Sequence, residues 1–181
     1  MPDAVLPWLR AKDLGRVVFT EEELGRRVEE MGRDITRSYP PEETLLVLGL
    51  LKGSFIFLAD LVRRIHRPLQ VDFLVASSYQ NEKVSSGDVR LLYDPDTSLE
   101  GRSVLLVEDI VDSGTTMDHL VPILERRGPS SLEICALLHK RRVALRKEPK
   151  WVGFDAPQDF LVGYGLDLSE DYRHLPFIAS V

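Results

Sequence analysis

LLVEDIVDSGTTMDHL, residues 105–120, decides how this chain is read. Ser103 to Val107 is apolar on both faces, as a strand buried inside a parallel sheet must be, and a helix is expected to run on from Thr115. Ligands of such sheets bind beyond the carboxyl ends of the strands, and Glu108 to Thr116 lies at one. Ser113, Gly114, Thr115 and Thr116 are small and mostly hydroxyl-bearing. Their hydroxyls and N–H groups, at the positive end of a helix dipole, suit a terminal phosphate monoester. Glu108 and Asp109 would repel that anion unless they accept hydrogen bonds from sugar hydroxyls or act through magnesium. A sugar phosphate meets both demands.

Outward from this stretch, apolar strands alternate with helices. Thr20 to Ser38 opens with Thr20 and Glu23 in capping-box spacing and carries Leu24, Val28, Met31 and Ile35 on one face, which predicts an amphipathic helix. Thr44 to Leu51 (TLLVLGLL) reads as a buried strand, Lys52–Gly53 as a tight turn and Ser54 to Arg64 as a helix. Val71 to Ala76 is a second strand, and Asp88 to Tyr93 a further one before the turn of residues 94–101. Between them Ser77 to Ser86 (SSYQNEKVSS) is polar and without periodicity, the pattern of a mobile loop. The helix after Thr115 should reach Arg127 before Gly128–Pro129, with Pro122 expected to bend it or shift its start. Leu132 to Leu138 is another buried strand, and Phe160 to Tyr164 a short one. The pattern predicts an α/β fold with a mostly parallel sheet covered on both sides.

Composition narrows the function. A chain of 181 residues fits one domain, 1–181, with residues 77–86 as a loop within it. No stretch is long and apolar enough to predict a membrane span, and MPDAVLPWLR does not resemble a secretory signal. The single cysteine, Cys135, excludes a disulfide framework and reads as core packing, so a cytoplasmic location is expected. The net charge of -6 speaks against a nucleic-acid partner. His66, His119, His139 and His174 show no metal-ligand spacing, there is no GxxxxGK[ST], and Gly163 and Gly165 lack the third glycine of a dinucleotide fingerprint.

VLLVEDIVDSGTT resembles the phosphoribosyl pyrophosphate signature of the type I phosphoribosyltransferases. More closely, LLKGSFIFLADL (50–61), VDFLVASSY (71–79), LLHKR (137–141) and FLVGYGLDLSEDYRHL (160–175) are similar to the hypoxanthine-guanine phosphoribosyltransferases, bacterial type, in the same order along the chain. The resemblance implies the type I phosphoribosyltransferase fold, with a small hood formed by terminal segments. It further implies that Glu108 and Asp109 hold the ribose hydroxyls directly or through metal-bound water, and that Ser113, Gly114, Thr115 and Thr116 hold the 5-phosphate. Asp112 would be the general acid/base facing purine N7. Lys52 and Gly53, often with an unusual peptide geometry, would lie against pyrophosphate with Arg173.

By the same resemblance Lys140 donates to the 6-oxo group, Phe160 stacks on the base and Leu161 offers backbone contacts to it. Asp167, with Glu108 and Asp109, would hold Mg2+, and Ser78 and Tyr79 belong to a loop closing over the reaction. Thr115 stands where some members carry a lysine, which removes one charge from the phosphate loop. The implied activity transfers 5-phosphoribosyl from phosphoribosyl pyrophosphate to N9 of a 6-oxopurine, giving IMP or GMP. The implied assembly is a homodimer or homotetramer. A relative preferring xanthine, and a non-catalytic sensor of phosphoribosyl pyrophosphate, stay open at this point.

Overall fold

Helix initiation is written locally. In the computed structural model, which describes residues 14–78, 89–142 and 144–181, strand β1 (Val17–Phe19) is followed by helix α1 (Glu21–Arg37). Thr20 caps α1: its Oγ1 accepts from Glu23 N at 3.3 Å, and its own N–H donates to Glu23 Oε2 at 2.8 Å. Three glutamates in the first turn complement the helix dipole, and Leu24, Val28, Met31 and Ile35 are buried as their spacing predicts.

Next come β2 (Leu45–Leu51), α2 (Phe55–Val62), β3 (Leu69–Ser78) and β4 (Val89–Tyr93). β5 (Ser103–Val111), α3 (Thr115–Glu125), β6 (Ser131–His139), β7 (Trp151–Asp155), β8 (Leu161–Val162) and β9 (Ile178–Ser180) complete the order. Six strands form one sheet in the order β4-β3-β2-β5-β6-β7, parallel except for β4. β1, β9 and β8 form a separate antiparallel sheet from segments near both ends of the chain, the expected hood.

The central strands lack polar alternation because both of their faces are covered. Leu45, Val47, Leu105 and Val107 pack with α1 and α2 side chains, whereas Leu46, Leu48, Val104 and Leu106 pack with Met117, Leu120, Val121 and Leu124 of α3. Cys135 is buried in the first of these layers, a packing residue whose thiol pKa is raised by burial. Arg27 of α1 donates to the carbonyl oxygens of Gly153 and Val152, both at 2.8 Å, and so ties the edge strand β7 to the helix layer. Among the described residues no helix is long and apolar enough to cross a membrane.

Several expectations need correction. The strand expected to end at Val107 continues to Val111, so Glu108 and Asp109 are strand residues. Pro122 sits inside α3 without moving its start, because burial of Leu120, Val121 and Leu124 outweighs the lost backbone donor. The expected strand 160–164 shrinks to Leu161–Val162, and it belongs to the small sheet. One edge of the central sheet is β7, passed over because WVGFD is short and interrupted by Gly153. Ser77 and Ser78 finish β3, whereas Tyr79 and the rest of the expected loop through Ser86 lie outside the described residues.

Replacing Thr20 by alanine is expected to cost about 1 kcal/mol of stability, seen as a lower urea midpoint at unchanged slope.

Candidate active site

Three of the singled-out polar residues follow strand ends directly. Lys52 is the residue after β2, Asp112 the residue after β5 and Lys140 the residue after β6. In the β5–β6 register Val111 faces His139, and Lys140 N donates to Val111 O at 2.9 Å, so Asp112 and Lys140 emerge side by side. Lys140 Nζ donates to Asp112 Oδ2 at 3.1 Å; the lysine side chain is 5% exposed and the aspartate 44%, so the cation is sunk and the carboxylate faces outward. Burying an ammonium requires such a partner.

Arg142 was not singled out from the sequence, yet its Nη1 lies 3.0 Å from Asp112 Oδ1. That contact is close but not aligned as a hydrogen bond, and Oδ1 has none. The Arg142 guanidinium also donates to the side chain and carbonyl of Gln158, and Gln158 Nε2 donates to Lys140 O at 3.1 Å. This links the Lys140 segment to the residues leading into Phe160, which is 54% exposed, and Leu161, buried at the start of β8.

The phosphate-loop candidates meet the start of α3. Gly114 is the N-cap in the left-handed region (φ +78°), and no side chain caps the helix. Ser113 Oγ and Thr115 Oγ1 are 3.0 Å apart. Glu108, Val111, Asp112, Ser113, Gly114 and Thr116 help line a cleft of about 80 Å³. Glu108 Oε2 is buried without a hydrogen-bond partner, and burial, reinforced by Asp109, raises its pKa well above the usual carboxylate range.

Asp109 belongs to a second cluster. A Cβ on Gly53 would collide with the Asp109 carboxylate, and one on Gly165 (φ +104°) with the Gly53 carbonyl, so these segments touch through backbone. The Leu51–Lys52 peptide is cis. Arg173 Nη1 donates to Gly165 O at 2.7 Å, and its Nη2 lies 2.7 Å from Asp167 Oδ1 and 3.3 Å from Glu170 Oε2. Lys52 Nζ donates to Glu170 Oε1 at 3.0 Å. Burial lifts the Asp109 pKa to about 6; N–H groups of Ile110 and Asp109 and the Arg173 charge oppose the shift, while Asp167 adds to it.

Two groups thus form: Asp112, Lys140 and the loop of residues 113–116, with Glu108 between them, and Lys52, Gly53, Asp109, Asp167 and Arg173. Phe160 and Leu161 join the first through Gln158. Ser78 contributes backbone to β3 paired with Val89, and Tyr79 lies outside the described residues. Besides Arg142, sequence reasoning missed Gln158 and Glu170. The only signal for Glu170 was an acid three residues before Arg173.

The fold and these two clusters define a phosphoribosyltransferase: the family model described as phosphoribosyl transferase domain matches residues 18–169. The chain is 47% identical to a hypoxanthine-guanine phosphoribosyltransferase of Dictyostelium discoideum over 169 residues, 91% of this chain and 94% of that one. It is 44% identical to one of Bacillus subtilis over 170 residues, 92% of each chain. A solved hypoxanthine-guanine phosphoribosyltransferase from Bacillus anthracis superposes with a TM-score of 0.86 at 42% identity, covering 93% of this chain and 99% of that one. The chain belongs to the hypoxanthine-guanine phosphoribosyltransferases, enzymes of purine salvage.

The buried acids set a pH dependence of stability. The Asp109 pKa is raised above its unfolded value, so between about pH 4 and 6 the folded state holds the proton that the unfolded state releases. Stability therefore falls as pH rises through this window, and the full penalty, roughly 3 kcal/mol, is present above it. Asp109→Asn should raise the ligand-free melting temperature at pH 7.5 and leave it nearly unchanged at pH 4, measured by calorimetry.

Proposed function

We propose that this enzyme transfers the 5-phosphoribosyl group of phosphoribosyl pyrophosphate to N9 of hypoxanthine or guanine, releasing pyrophosphate and giving IMP or GMP. The observation that carries this reading is the Lys140–Asp112 pair at adjoining strand ends, beside the uncapped start of α3. The named activities of the relatives point the same way.

A 5-phosphate fits the N–H groups and hydroxyls of Ser113, Gly114, Thr115 and Thr116 at the α3 N-terminus. With Thr115 in place of a lysine, that contact rests on backbone donors and the helix dipole. Glu108 and Asp109 accept from the ribose hydroxyls. Phe160 offers an exposed ring face to the base, and Leu161 backbone groups meet its pyrimidine edge. The Lys140 ammonium has three hydrogens, enough for Asp112 and the 6-oxo acceptor together. A 6-amino group would leave one of those donors facing another donor, so adenine is rejected.

As N9 attacks C1 of the ribose, the C1–O bond to pyrophosphate breaks through an oxocarbenium-like sugar, as in glycoside hydrolysis. The purine proton passes to the half-exposed Asp112 carboxylate facing N7. Lys52, Gly53 and Arg173 supply donors to the departing pyrophosphate.

The residues present fit a magnesium ion. Glu108 Oε2 is an orphaned buried acceptor, and the Asp167 charge adds to the cost of ionising Asp109. Among the described residues no three such ligands come together, which suits an ion held by one or two carboxylates and by phosphate oxygens. Of Glu108, Asp109 and Asp167, one or two would hold it directly and the others through water, and when bound it would supply charge neutralisation at the pyrophosphate. With this reading go one transferase domain spanning the chain, a cytoplasmic location and self-association as a homodimer or homotetramer.

A spectrophotometric assay with phosphoribosyl pyrophosphate, magnesium and each purine tests the reading. Hypoxanthine and guanine should turn over and adenine should not; turnover of none, with phosphoribosyl pyrophosphate still bound, would sink it. Asp112→Asn should lower kcat roughly 10²- to 10⁴-fold. Lys140→Met should raise KM for hypoxanthine and narrow its advantage over adenine.

A further inference from the structure

We infer that Glu170 is an internal competitor for pyrophosphate. The inference rests on the reading above, in which Lys52 and Arg173 receive the leaving group. Both cations already share one carboxylate: Glu170 Oε1 accepts from Lys52 Nζ at 3.0 Å, and Oε2 lies 3.3 Å from Arg173 Nη2. One oxygen meets each cation, the bridging contact that a phosphate anion would make. Lys52 and Glu170 are 118 residues apart in the chain and reach each other only because β2 ends beside the 167–173 segment.

The backbone is shaped to deliver this side chain. Leu168 and Asp171 exchange backbone hydrogen bonds of 3.2 and 3.1 Å around a two-residue turn. Its central residues, Ser169 (φ +53°) and Glu170 (φ +72°), are both left-handed, positions that favour asparagine and glycine. Strain of this kind is tolerated where function needs the geometry. Glu170 N also donates to Asp167 Oδ2 at 2.8 Å, which anchors the turn.

Glu170 does not serve to position Arg173. Arg173 Nη1 on Gly165 O and Nη2 on Asp167 Oδ1, both at 2.7 Å, fix the guanidinium without it. Lys52 and Glu170 side chains are 65% and 64% exposed, so the carboxylate can swing into water with little loss. A carboxylate this exposed is an anion at neutral pH. Pyrophosphate must displace this anion on binding, and Glu170 retakes both cations as pyrophosphate leaves.

The test titrates inorganic pyrophosphate, with magnesium chloride, into the wild-type enzyme and variants by calorimetry. Glu170→Gln should bind roughly two- to tenfold tighter, the scale of two exposed ion pairs. Asp171→Asn removes the same charge one residue along, from a side chain that pairs with neither Lys52 nor Arg173, and should change affinity little. In a Lys52→Met background most of the Glu170→Gln gain should vanish. Equal tightening by Glu170→Gln and Asp171→Asn, or no tightening by Glu170→Gln, overturns the inference. If Lys52→Met still weakens pyrophosphate in that case, the site reading survives; if Lys52→Met and Arg173→Met both leave binding intact, the site reading falls as well.

Discussion

The parallel pairing of β5 with β2 on one side and β6 on the other is the constraint on which the rest depends. These strands are covered on both faces, so polar side chains are driven to their ends. The register then decides which ends coincide. Val111 opposite His139 sets Asp112 beside Lys140, and the continuation of β5 through Glu108 and Asp109 carries two acids into the sheet itself. A one-residue slip would separate the ion pair and exchange the faces on which the apolar side chains pack.

Placing acids in that position has an electrostatic cost, which the surrounding cations only partly offset. Among the described residues Glu108 has no cationic partner, and Arg173 only moderates the effect of burial on Asp109. The cations Lys140, Arg142, Lys52 and Arg173 each already hold a carboxylate. On the proposed reading, substrate recognition at this site is an exchange of partners. Its net affinity is the difference between two sets of strong contacts, which favours discrimination over tightness.

Much of this was legible in the sequence where a local rule applied. The Thr20–Glu23 box and the spacing of Leu24, Val28, Met31 and Ile35 marked α1. The unbroken apolar runs marked β2, β5 and β6, and the order of motifs around residues 105–120 brought the site candidates together. Three-residue strands such as β1 and β9 have too few side chains for a periodic signal. Leu161 and Val162 showed apolar character but not which sheet would take them, since that depends on pairing with Ser180 and Ala179 near the chain's end. Arg142 and Glu170 escaped because their partners, Asp112 and Lys52, lie 30 and 118 residues away, in segments without periodicity.

Gly165 against Gly53 is a contact between two backbones, with no side chain on either side of it. Such a seam is hard to retune by exchanging residues, because a side chain on Gly165 would meet the Gly53 carbonyl and one on Gly53 the Asp109 carboxylate. Change in this enzyme is thereby channelled: side chains such as Arg142 can drift, while the approach of the 52–53 turn to Gly165 is held by backbone contact. Widening this gap would demand relocation of a whole segment, a step that point substitutions do not reach.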